Sequence, residues 1–166
     1  CALRGALSAV VERHAVLRTT FEVGADGSLA QRVRAVPEGS DLLREQSASS
    51  IEAAEALVAA DASRGFELLG EQGSVLRCML VRVEGDAESH VLLINVHHIA
   101  FDGGSTPVLL RELGALYRAL STGDGVEDAA LPALPLQYVD YAAWQRGDEL
   151  WRQLESSREY WRAQLR

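Results

Sequence analysis

Apolar positions recur every three or four residues at the start of the chain, at Leu3, Ala6, Leu7 and Val10, with His14 in the same register. That spacing predicts a helix ending near His14. The period then falls to two. Leu17, Thr19, Phe21 and Val23 alternate with Arg18, Thr20 and Glu22, the pattern of a half-buried strand. Gly24-Ala25-Asp26-Gly27 reads as a turn, and Leu29 to Val36 as a hairpin partner closed by Pro37-Glu38-Gly39. Leu42 to Ala62 contains a helix, clearest in Ile51, Ala54, Leu57 and Val58. Arg64-Gly65-Phe66-Glu67-Leu68 reads as an ordered loop anchored by Phe66. Val75 to Val83 and His90 to His98 are rich in apolar residues, as strands covered on both faces are, and Gly85-Asp86 marks the turn between them. From Thr106, the series Leu109, Leu113, Leu116 and Leu120 predicts a helix that stops before Gly123. A turn-rich connector runs from Gly123 to Pro135. The aromatic stripes Tyr138, Tyr141, Trp144 and Trp151, Leu154, Trp161, Leu165 follow at helical spacing, which predicts core positions.

The titratable groups gather where one apolar strand gives way to the long helix. Val91-Leu92-Leu93-Ile94 leads into Asn95-Val96-His97-His98, and Asp102-Gly103-Gly104-Ser105 opens the helix. Strand ends beside helix N-termini are common places for chemistry in α/β folds. Side chains alternate between the faces of a strand, so a strand that persists to His98 sends His97 and His98 to opposite sides. One can then serve as a general base or hydrogen-bond anchor while the other is structural, and pattern alone leaves open which. Histidine suits proton transfer because it titrates close to neutral pH. Asp102 can orient a histidine or pair with a cation. Gly103 and Gly104 permit backbone shapes and close approaches that a side chain would forbid. A backbone N–H at this helix start can stabilise developing negative charge. Ser105 is placed to cap the helix, which commits its oxygen to backbone N–H groups and argues against a Ser105–His98–Asp102 hydrolase.

Composition narrows the classes. At 166 residues and 48% hydrophobic content the chain reads as one folded domain. Its formal net charge of −8 argues against a nucleic-acid surface. Two cysteines make neither a disulfide framework nor a CxxC metal motif, and Cys78 falls in a strand pattern as a small core residue. Four histidines, two of them expected to diverge, make a metal site a poor reading. No apolar run approaches the roughly 20 residues of a membrane span, so the cytoplasm is the expected location. Cys1 falls inside a helical pattern, as though the chain were part of something longer.

The segment His97-His98-Ile99-Ala100-Phe101-Asp102-Gly103 resembles the HHxxxDG signature of condensation domains in non-ribosomal peptide synthetases, members of the chloramphenicol-acetyltransferase-like acyltransferase superfamily. Arg13-His14-Ala15-Val16-Leu17-Arg18-Thr19-Thr20-Phe21 is similar to a second motif of that family, RHxxLRTxF, with Ala15 where an acidic residue is common. Leu134 to Gln145 resembles LPLQYxDYAxWQ, and Tyr160 to Leu165 resembles YWxxQL, so the likeness runs over essentially the whole chain.

The resemblance implies an α/β fold, a chloramphenicol-acetyltransferase-like two-layer sandwich with helices packed on a mixed sheet. Residues 1–166 would be the N-terminal lobe of a condensation domain, truncated at its start and lacking the second lobe, and inactive in isolation. It implies amide formation between an upstream carrier-bound acyl thioester and a downstream carrier-bound aminoacyl amine. Both substrates would arrive on phosphopantetheine arms of carrier domains, with no metal and no directly bound cofactor. His98 would stand at the chemistry and the Gly103 N–H would donate to the oxyanion. His97 would be structural, Asp102 would form a buried salt bridge with Arg18, and His14 would be a helix-end residue. Gly104 departs from the family, which often carries Trp there. Two alternatives stay open: a related acyltransferase using another donor or acceptor, and a catalytically silent carrier-docking lobe.

Overall fold

The computed structural model describes residues 2–37, 42–86 and 88–165, with the side chain of Ser156 excepted. Cys1, Glu38 and Gly39, which figure in the sequence reading, lie outside the described residues. The chain divides into two compact units, Cys1–Ala133 and Leu134–Arg166. The division falls in the Pro132–Pro135 stretch, where proline disfavours continuation of regular structure.

In the first unit α1 (Ala2–Arg13) buries Ala6, Leu7, Val10 and Val11, the face its periodicity marks. The strand expected from Leu17 begins two residues later. Residues Ala15–Arg18 form a 3₁₀ turn, held by the Leu17 N–H on the His14 carbonyl at 3.0 Å and by the Thr19 hydroxyl on the Ala15 carbonyl at 2.8 Å. β1 (Thr19–Val23) and β2 (Leu29–Val33) then make an antiparallel hairpin with Thr19 opposite Val33 and Val23 opposite Leu29. Gly27, at φ +78, supplies the left-handed residue of its turn.

The main sheet has three strands in the order β3 (Leu43–Ala48), β4 (Leu76–Val83), β5 (His90–Val96). β3 runs parallel to β4 and β5 antiparallel to it, so the sheet is mixed. The sequence pattern placed a helix within Leu42 to Ala62 and marked no strand there; the helix is α2 (Ile51–Ala62), which starts after Ser50, whose hydroxyl accepts the Ala53 N–H at 3.2 Å. Side chains of β4 alternate between two apolar clusters. Cys78 and Leu80 join α1 and the Leu113–Leu116 face of α3 (Ser105–Thr122). Met79 and Val81 join Ala54 and Val58 of α2, with Val91 and Leu93 of β5 beside them. Helices thus cover both faces of the sheet. β4 is largely buried, whereas β5, at the edge, is half-buried. α3 closes at Gly123, which adopts φ +88.

The second unit holds α4 (Tyr138–Gln145) and α5 (Asp148–Gln164). Its aromatic stripes are not core: Tyr138, Tyr141, Trp144, Trp151 and Trp161 are all exposed. Helical spacing identifies one face of a helix, and a pair of short helices has no third layer to bury that face. No described helix is long and apolar enough to cross a membrane.

Candidate active site

β5 delivers the two histidines to the start of α3. The His97 N–H extends the ladder by one bond, to the Val75 carbonyl at 2.8 Å. The chain then turns: the Ala100 N–H donates to the His97 carbonyl at 3.0 Å, and the Ile99 N–H donates to His97 Nδ1, also at 3.0 Å. His97 is half-buried and its ring meets that of Phe66 edge-on, with centroids 5.6 Å apart and planes at 84°. His98 occupies the turn itself and is exposed. Its ring makes no hydrogen bond among the described residues. The chain leaves the strand after Val96, and the two histidines have different surroundings: His97 packs against Phe66 and His98 faces solvent.

Asp102 and Ser105 bind reciprocally. Asp102 Oδ1 accepts the Ser105 N–H at 2.9 Å and the Ser105 hydroxyl at 2.7 Å, while Ser105 Oγ accepts the Asp102 N–H at 3.3 Å. Gly104 already has helical angles (φ −70, ψ −25), so Asp102 takes the capping role expected of Ser105, in the manner of a capping box. The Ser105 hydroxyl and N–H, with the Gly104 N–H, hold the Asp102 carboxyl below its ordinary range. A serine committed to Asp102 and not touching His98 does not assemble a hydrolase triad.

The expected Arg18–Asp102 salt bridge is not formed. The Arg18 guanidinium donates to the carbonyls of Val11 at 3.2 Å, Glu12 at 3.4 Å and Arg34. Two of these are carbonyls at the C-terminal end of α1, which lack helical partners and attract a cation. Asp102 is drawn instead to the unsatisfied N–H groups of α3. The glycines also differ from expectation. Neither Gly103 nor Gly104 has a positive φ. A Cβ on Gly103 would meet nothing within 4 Å, and one on Gly104 only Asp102 Oδ1 at 3.5 Å. The Gly103 N–H has no acceptor among the described residues.

Beside this loop lies an apolar cleft of about 200 Å³, walled by Val16, Leu17, Phe101, Gly104 and Leu109, with His14 at one side. His14 does more than end a helix. Its Nε2 lies 2.6 Å from Oε2 of Glu112, a carboxylate only 2% exposed that Arg13 Nε also reaches at 3.1 Å. Burial acts to raise the Glu112 pKa, but His14 and Arg13 outweigh it, and the carboxyl is held below its ordinary range. Pattern reading missed Glu112, although a lone carboxylate among Leu109, Leu113 and Leu116 was a visible signal.

A second missed group stands behind His97. Asp61, 4% exposed, faces Arg44 at 2.8 Å, Arg64 at 2.9 Å and Arg77 at 3.2 Å. Burial works against its ionisation, but Arg77 and Arg44 prevail and lower its pKa. Arg77 in turn lies over the Phe66 ring, 4.0 Å from its centroid. Among the described residues no group of three or more His, Cys, Asp or Glu side chains converges as a metal site would require.

Comparison with known proteins bears on this arrangement. The sequence model of the family described as "Condensation domain" matches residues 1–166. Over 163 residues the chain is 40% identical to a linear gramicidin synthase of Brevibacillus parabrevis, a match that covers 96% of this chain and 2% of that protein. It is 39% identical over 170 residues to phosphinothricin tripeptide synthetase PhsC of Streptomyces viridochromogenes, covering 99% of the chain and 15% of the relative. Among solved structures it is similar to the X-domain from teicoplanin biosynthesis, with a TM-score of 0.75 and 32% identity over 95% of this chain and 31% of that one. The condensation domain of the monacolin K polyketide synthase MokA, 24% identical, shares the fold at a TM-score of 0.74, over 98% of this chain and 34% of that one. The chain thus spans a small part of its curated relatives and about a third of these solved chains.

Proposed function

The chain belongs to the condensation-domain family, and from that premise we propose that it is the N-terminal lobe of a domain that joins two carrier-bound substrates through an amide bond. The carbonyl carbon of an upstream acyl thioester accepts the α-amine of a downstream aminoacyl thioester. A C–N bond forms, the C–S bond of the donor breaks, and the proton lost by nitrogen ends on the departing phosphopantetheine thiol. Both substrates hang from phosphopantetheine arms on neighbouring carrier domains. The protein works in the cytoplasm with the rest of its synthetase.

The observation that carries this reading is the exposed imidazole of His98, without a hydrogen bond among the described residues, on the turn between β5 and α3. An α-amine titrates near pH ~8, so a useful fraction is neutral at working pH. His98 therefore has to position that amine and take its proton as the C–N bond forms, without deprotonating it fully beforehand. The Gly103 N–H donates to the oxyanion of the tetrahedral intermediate. Asp102 holds the loop to α3 and does not touch the reacting atoms. Residues 1–166 alone have one wall of the channel, cannot hold both thioesters in attack geometry, and turn over nothing.

The test is reconstitution. The full-length protein, with its upstream carrier acylated and its downstream carrier aminoacylated, is incubated and the downstream arm is examined by mass spectrometry. Transfer of the acyl group onto the downstream amine is expected. Transfer to a small-molecule acceptor, or no transfer by a folded protein, contradicts the reading.

A further inference from the structure

We propose that Phe66, clamped by Arg77 and Asp61, is a positioning residue that acts on His98 through His97; the proposal rests on the amide-forming role given to His98 above. The four groups lie at one end of the sheet, on the face that α2 covers. Arg77 of β4 pairs in register with Asn95 of β5, two residues before His97. Asp61 comes from the last turn of α2, and Phe66 from the loop that follows.

Arg77 is immobilised from every side. Its Nε donates to Asp61 Oδ2 at 3.2 Å, one terminal nitrogen to the Gly65 carbonyl at 2.9 Å, and the other to the carbonyls of Asp61 at 3.0 Å and Arg64 at 2.9 Å. These bonds fasten the loop before Phe66 to β4 and hold the guanidinium carbon over the Phe66 ring, an attraction between a cation and the negative face of an aromatic. The Phe66 ring then meets the His97 ring edge-on, a favoured aromatic geometry.

That last contact bears on chemistry because of which His97 atom faces the turn. Nδ1 accepts the Ile99 N–H, so the ring proton of neutral His97 sits on Nε2. Rotating the imidazole by half a turn about its Cβ–Cγ bond would replace Nδ1 with a carbon and leave the Ile99 N–H without its acceptor. The Phe66 ring restrains that rotation. His98 lies between His97 and Ile99, with no hydrogen bond to its own ring among the described residues. The backbone of this turn therefore sets the Cα–Cβ direction from which the His98 ring projects.

The experiment uses the full-length protein with both carriers loaded, and the variants Phe66→Leu and Phe66→Tyr. Phe66→Leu keeps apolar bulk but removes the ring. It should lower kcat by about 10–100-fold, in line with the ~10²-fold that an ångström of misplacement can cost, while KM for the acceptor carrier stays within about threefold. Phe66→Tyr, which keeps the ring, should restore kcat. Nitrogen NMR of histidine-labelled protein should find His97 as a single tautomer in wild type and Phe66→Tyr, and as a mixture in Phe66→Leu. Unchanged kcat and tautomer in Phe66→Leu, a loss confined to KM, or no rescue by tyrosine would overturn the proposal. If Phe66→Leu does not fold, His97→Asn and His97→Leu decide it. The asparagine oxygen can accept the Ile99 N–H in place of Nδ1, so His97→Asn should be the faster of the two, and equal rates contradict. A wild-type protein that forms no amide sinks the functional reading instead, and the tautomer measurement still judges the positioning chain.

Discussion

His14 Nε2 lies 2.6 Å from Glu112 Oε2, and this contact ties the end of α1 to α3 beneath the cleft. Arg13 completes the group from the same helix end. A carboxylate buried among leucines holds its charge here because these partners face it.

Glu112→Ala should therefore cost more than a typical surface change. The expected loss is about 3 kcal/mol, the low end of the ~3–5 kcal/mol for stripping one partner from a buried ion pair. It falls at the low end because the Arg13 and His14 side chains are 19% and 21% exposed and can rehydrate. The sign of the pH dependence follows from the lowered pKa of Glu112. The unfolded chain binds its proton first as pH falls, so the stabilisation is complete above about pH 5 and is lost as pH drops through the folded value. Urea denaturation of a complete condensation domain and its Glu112→Gln variant should give a difference that shrinks as pH falls below about 5. A difference that grows on acidification would contradict the pairing.

Arg18 and Asp102 should behave as independent residues. Arg18→Met removes bonds to three carbonyls, and Asp102→Ala removes a helix cap. Groups without a shared partner give additive effects. In denaturation of the two singles and the double, the double should equal the sum of the singles. A double markedly milder than that sum would restore the salt bridge that the structure does not contain.

Cys78 should be inert in the folded protein. Burial pushes its thiol up to about 12, and the thiolate is the reactive form. Alkylation at pH 8 followed by peptide mapping should leave the Cys78 peptide unmodified until denaturant is added. Rapid native labelling at Cys78 would mean that the sheet opens readily between β4 and α1.

The motif junction was legible in the sequence because a continuous apolar run, Val91 to Ile94, gives way past Gly103 and Gly104 to apolar positions every three or four residues, and the chemistry-bearing residues stand between the two. β3 was not legible. Of Leu43–Ala48 only the two ends are buried, and its parallel pairing with β4 is set by residues more than thirty positions away. The destination of Arg18 was equally hidden, since backbone carbonyls leave no mark in a side-chain pattern. The same holds for Arg77, three of whose partners are carbonyls. For the stripes at Tyr138 and Trp151 the period was right and the inference of burial was not, because periodicity identifies a face and not what covers it.

The most direct test of the account is the rate of amide formation by the His98→Ala variant, measured between loaded carriers in the full-length protein. His98 is exposed and makes no hydrogen bond among the described residues, so its removal should leave the fold and the thermal midpoint unchanged. Loss of a positioned acid–base group typically costs about 10²–10⁴-fold, and a fall in kcat within that range is expected. A His98→Ala protein that is folded and forms amide at close to the wild-type rate would contradict the account.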